Sequence, residues 1–132
     1  MNESSYSNSF TFNSLINPDI LYELYENDYQ YIEEIFNTVL THIDADLEEI
    51  RLAQSAGDLE SLRKSIHKIK PTFGFLGMPQ IEQKCRDFED KSRASQSATP
   101  LTNELNELLL LMKAAQKAIQ EDHQKLIIHN KP

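Results

Sequence analysis

His67 stands among residues that suit it to nucleophilic chemistry. Arg63 and Lys64 lie one helical turn before it, Lys70 and Pro71 one turn after and Gly74 two turns after, so in a helix all five share its face. An imidazole with one ring nitrogen free can attack an electrophilic centre, and an ammonium one turn away can neutralise an anionic oxygen on the incoming group, such as that of a phosphoryl. Pro71 and Gly74 fall inside a helical pattern, where an interior proline costs about 3 kcal/mol and an interior glycine about 1 kcal/mol relative to alanine. Pro71 lacks the N–H that would bond the His67 carbonyl, so the helix is expected to bend or loosen at the histidine. Gly74 removes a side chain, so that a partner's backbone or loop can come close on the same side.

A second group is placed by counting. His67 and Glu89 are each eleven residues from Met78, where a helical hairpin turns, and each follows a core residue, Ile66 and Phe88. They are expected at similar height across one helix interface. A carboxylate accepting a hydrogen bond from Nδ1–H would hold the neutral tautomer with Nε2 free, and would stabilise positive charge on the ring when Nε2 attacks. Arg93, one turn beyond Glu89, extends the positive rim.

The elements that must carry these residues are legible from apolar spacing. Leu59, Leu62, Ile66, Ile69, Phe73 and Leu76 form one stripe; Ile32, Phe36, Val39, Ile43, Leu47 and Ile50 form another in a helix over about 28–56. Ile81, Cys85 and Phe88 make a shorter stripe, and Leu101, Leu105, Leu108, Met112, Ala115 and Ile119 a long one. Asn17-Pro18 and Thr99-Pro100 read as capped helix starts, Gly57-Asp58 as an end followed by a new cap, and Gly77 with Pro79 as a turn. Residues 91–100, rich in Ser and Ala, predict a loop, and residues 18–26 a short helix across one end, with the tyrosines at 22, 25, 29 and 31 as packing there. Four amphipathic helices with short connections can bury their stripes only against each other. The expected fold is therefore all-α, an antiparallel up-down four-helix bundle over residues 14–128 with a short additional N-terminal helix. Residues 1–13 read as a flexible polar tail, although Phe10 and Phe12 can tuck against the bundle.

Length and charge narrow the field. At 132 residues and 39% hydrophobic content, the chain has room for one core, and no apolar run spans a membrane. The formal charge of -8 argues against nucleic acid as the main partner. It is uneven: residues 1–57 carry a net -10, whereas residues 58–93 carry +2, so the basic part of an acidic protein gathers around His67. A single cysteine excludes an internal disulfide, and the start MNESSYSNSF lacks the features of a secretory signal, which together predict a cytoplasmic location. No Gly-rich phosphate loop is present, so autonomous kinase activity is not expected. No two histidines stand at i, i+4, and no metal site is expected; His42, His123 and His129 read as surface residues and Cys85 as core.

The run from His67 through Lys70, Pro71 and Gly74 to Gly77, followed by Cys85 and Phe88-Glu89, resembles the histidine-containing phosphotransfer (HPt) domain, over about residues 15–112. The resemblance implies a phosphoryl carrier in a multistep two-component phosphorelay. His67 would accept the group from a receiver-domain aspartate and pass it to another; Lys70 would stabilise phosphoryl charge and Glu89 would orient His67. Arg63, Lys64, Pro71, Gly74 and Arg93 would form the docking face for receiver domains, with a hybrid histidine kinase as a further partner. No cofactor of its own is implied, Mg²⁺ belonging to the receiver, and the chain is expected to act as a monomer. Pro71 departs from the family, which commonly has glycine there. The alternative is a helical docking module that binds a receiver or another signalling partner without chemistry.

Overall fold

The structure, a computed structural model, describes residues 9–132. Five α-helices occur among them: α1 (Pro18–Tyr25), α2 (Tyr29–Ala56), α3 (Leu59–Phe75), α4 (Pro79–Ala94) and α5 (Thr102–His129), with a 3₁₀ turn, Thr99–Leu101, before the last. No strand occurs among the described residues. The expected caps Asn17 and Asp58 begin the first and third helices, and Asp28 caps the second. Asn17 Oδ1 accepts the Asp19 N–H at 3.0 Å, Asp28 Oδ1 the Tyr31 N–H at 3.0 Å, and Asp58 Oδ1 the Ser61 N–H at 3.1 Å. Gly57 closes α2 at φ 65°, a conformation that disfavours a side chain.

Helices α2 to α5 form a closed antiparallel ring in which α3 packs on α2 and α4, and α5 on α2 and, more sparsely, on α4. The predicted stripes meet at its centre, where Phe36, Leu62, Ile66, Ile69, Phe73, Cys85, Phe88, Met112 and Ile119 have no exposed surface. Helix α1 crosses the end at the α3–α4 turn: Asn17 N–H donates to Gly77 O at 2.8 Å, and Tyr25 Oη to Phe75 O at 2.9 Å. The approach needs a glycine, because a Cβ on Gly77 would lie 3.1 Å from Asn17 O, and Gly77 has φ +70°. None of the described helices is long and apolar enough to cross a membrane.

Two boundaries differ from expectation. Helix α4 continues to Ala94 instead of yielding to a loop at Lys91. Ser92 is wholly buried, with its hydroxyl donating to Glu89 O at 2.6 Å, and Lys91 and Arg93 complement the carbonyl end of the helix dipole. Thr99 does not cap the last helix with its side chain; it opens the 3₁₀ turn that brings Leu101 into the core. Of the tail expected over residues 1–13, residues 1–8 lie outside the described residues. Phe10 and Phe12 pack against the core, Phe12 with its ring 6.1 Å from that of Phe36, and Asn13 N–H donates to the buried Asp122 carboxylate at 2.7 Å.

Candidate functional site

Ile66 and Ile69 are pulled wholly into the core, and this rotates His67 onto the rim of the α3–α4 seam with 67% of its side chain exposed. On the facing helix the burial of Phe88 carries the next residue inward as well, so Glu89 is 2% exposed. A buried carboxylate requires partners. It finds two: Oε1 lies 2.5 Å from His67 Nδ1, and Oε2 accepts from Lys70 Nζ at 2.7 Å. The counted expectation that His67 and Glu89 meet across the hairpin agrees with this geometry.

Electrostatics settle the tautomer. Burial pushes the Glu89 carboxyl upward, but the hydrogen bonds from Lys70 and His67, with their charges, outweigh it and hold the group below its ordinary value. An ionised Glu89 only accepts, so Nδ1 carries the proton and donates. Lys70 Nζ lies 3.4 Å from Nδ1, a distance between two donors rather than a bond. Nε2 has no partner among the described residues and lies on the exposed side of the ring, where it carries the lone pair whenever the ring is neutral. Cys85, one turn before Glu89, has its thiol pushed up to about 12 by burial and by Glu89, as befits a core residue.

Arg63, Lys64, His67, Glu89 and Arg93 line one open depression of about 220 Å³. Lys64 pairs with Glu60 at 3.3 Å and Arg93 with Asp90 at 3.1 Å, both exposed contacts of small worth, and Arg63 has no ion-pair partner among the described residues. The depression is thus a cationic cup with a nucleophilic nitrogen at its edge. Lys70 stands behind it, only 17% exposed and engaged with Glu89.

Pro71 and Gly74 do not line the cup. Helix α3 runs without interruption through the exposed Pro71, so the expected loosening at His67 is limited to the missing N–H. The gap at Gly74 is filled from within the chain: a Cβ there would lie 2.8 Å from Glu82 Oε2. Glu82 was not anticipated from sequence, although its place one turn after Met78 on the facing helix was available to counting. No group of three or more His, Cys, Asp or Glu residues suited to a metal occurs among the described residues.

A family model described as Hpt domain matches residues 34–123, more than half of the chain. The chain belongs to the Hpt domain family. Two solved structures share the Hpt fold. The HPT domain of the Hpt sensor hybrid histidine kinase from Shewanella is 19% identical with a TM-score of 0.74, over 84% of this chain and 95% of that one. Histidine-containing phosphotransfer protein B (HptB) from Pseudomonas aeruginosa is 16% identical with a TM-score of 0.72, over 85% of this chain and 96% of that one. No curated protein matches the chain. Membership assigns the chain to histidine phosphotransfer in a two-component phosphorelay, where Hpt domains are carriers, not kinases, and work with receiver domains and hybrid kinases.

Proposed function

We propose that His67 is the phosphoacceptor, and that the chain carries a phosphoryl group on Nε2 between receiver-domain aspartates without kinase activity of its own. The observation that carries this reading is the Nδ1 contact of an exposed imidazole with a buried, ionised carboxylate at 2.5 Å. The Nε2 lone pair attacks the phosphorus of an acyl phosphate, the P–O bond to the aspartyl group breaks, and that group leaves as a carboxylate. The positive charge that develops on the ring is met by Glu89 through the Nδ1 proton. Phosphoryl transfer depends mainly on in-line positioning and charge neutralisation. Arg63, Lys64 and Arg93 would draw the acidic pocket of a receiver to the cup, and Lys70 would turn part of its charge from Glu89 to a phosphoryl oxygen. Pro71 and Gly74, further along α3, would border the docked partner. Mg²⁺ would belong to the receiver, and the chain would act as a monomer in the cytoplasm.

The test is to mix the chain with phosphorylated receivers of the same organism and map the label. One acid-labile, alkali-stable phosphoryl group on His67 is expected, with receiver-dependent labelling lost in His67→Gln. Wild-type rates of labelling in that variant would overturn the assignment, and failure of every cognate receiver to transfer would favour docking without chemistry.

A further inference from the structure

The arrangement at His67 occurs a second time, on the other flank of α3. His42 of α2 sets its Nδ1 3.2 Å from Asp46 Oδ2, and Asp46 is only 9% exposed because Ile43 and Leu47, on either side of it in α2, are buried in the core. The second oxygen of Asp46 faces a lysine of α3: Lys68 Nζ lies 3.6 Å from Asp46 Oδ1 and 3.0 Å from Glu49 Oε1. Each flank of α3 therefore carries a histidine Nδ1 on one oxygen of a sequestered carboxylate and an α3 lysine at the other. The His42 side chain is 46% exposed, and its Nε2 has no partner among the described residues.

We propose that His42 is a second phosphoryl-accepting histidine, modified at Nε2 by small donors with a good leaving group, of which phosphoramidate is the simplest. The Nε2 lone pair forms the new N–P bond while the P–N bond of the donor breaks. The donor nitrogen, protonated as H₃N⁺, leaves as neutral ammonia. The positive charge passes to the imidazole, where Asp46 holds the Nδ1 proton and Lys68 balances the carboxylate. Reaction is slower here than at His67. Asp46 is farther from the ring, Lys68 is 58% exposed and shared with Glu49, and α2 presents the Glu49 carboxylate beside the site to an incoming anion, where the His67 cup presents Arg63, Lys64 and Arg93.

The full chain is incubated with phosphoramidate, and each histidine is followed by site-resolved mass spectrometry at alkaline pH in wild type, His67→Gln, His42→Gln, the double variant and Asp46→Asn. In His67→Gln, label accumulates on His42, roughly tenfold or more slowly than on wild-type His67, and it is absent from the double variant. Asp46→Asn slows His42 by roughly tenfold and leaves His67 unchanged, which also reports that the variant is folded. His123 and His129, whose Nδ1 atoms face no carboxylate among the described residues, are internal controls. Labelling of His42 no faster than those two, or no label on it in His67→Gln after His67 of the wild type has saturated, overturns the proposal. Failure of His67 to label in wild type would count instead against the His67 assignment.

Discussion

Replacing Glu89 by Gln separates the two tasks of its carboxylate. One oxygen serves His67 Nδ1 at 2.5 Å and the other Lys70 Nζ at 2.7 Å. An amide has one acceptor and one donor, so one of these contacts becomes donor against donor. Lys70 has no lone pair to offer and takes the amide oxygen; the amide N–H then faces Nδ1, which can accept only when the ring proton moves to Nε2. That is the nitrogen required to attack. Loss of one charge-assisted hydrogen bond costs about 1.5 to 3 kcal/mol, and the low end applies because the 67% exposed imidazole can turn to water. Losing about 1.5 kcal/mol of stabilisation of the ring charge slows transfer roughly 13-fold.

The pH dependence follows from the carboxyl of Glu89. Burial raises it, but Lys70 and His67 together hold it below its ordinary value of 4.5. A folded-state pKa below the unfolded one means that the native state binds fewer protons, so this contribution is full above the ordinary value and drains away as pH falls through the folded value. Urea unfolding should show wild type ahead of Glu89→Gln near neutrality, with the gap shrinking as pH drops below about 4.5. Rapid-quench transfer from a phosphorylated receiver reads the rate. Wild-type rate and stability in Glu89→Gln, or a gap that persists undiminished in acid, would refute the reasoning.

Other substitutions test the frame around the site. Pro71→Ala restores an N–H for the His67 carbonyl and should stabilise the fold by about 1 to 3 kcal/mol; transfer should stay within about threefold, since Glu89 holds the ring, and a tenfold slowing would show that the proline shapes the site. The two glycines should respond with opposite signs in urea. Gly74→Ala displaces only the flexible end of Glu82 and gains up to about 1 kcal/mol, whereas Gly77→Ala meets Asn17 O at φ +70° and loses about 1 to 3 kcal/mol; the reverse order would refute both assignments. Asp122 is pushed up by burial, against the Asn13 N–H that favours its charge, so the native state favours its protonated form and stability falls as pH rises above the ordinary 3.8. Asp122→Asn keeps an acceptor for Asn13 without the charge; it should exceed wild type by about 1 kcal/mol at pH 7, and the gap should close on acidification.

Much of this was legible in the residues because it depends on local rules. Helix periodicity places Leu62, Ile66 and Ile69 on one face and so puts His67 at its edge, whatever the partner helix. Asn17, Asp58 and Gly57 mark helix ends by chemistry confined to a few residues. Even the meeting of His67 and Glu89 reduces to counting from a turn, since two helices with the same rise stay in step. Thr99 and the end of α4 were misplaced for the complementary reason: burial of Leu101 and Ser92 is a tertiary event, and it overrode the local signals of a proline and a polar run.

What only the folded chain decided was how charges are shared. Sequence put Lys70 on the face of His67, but only packing showed its ammonium committed to a carboxylate that cannot reach water. Gly74 announced a gap, and the fold filled it with Glu82. His42 looked like any surface histidine until α3 brought Lys68 against Asp46. A side chain's rotation about its own helix follows from the period of 3.6 residues, whereas the partner of a buried charge lies on another helix and is chosen by whichever donor the packed core leaves within reach.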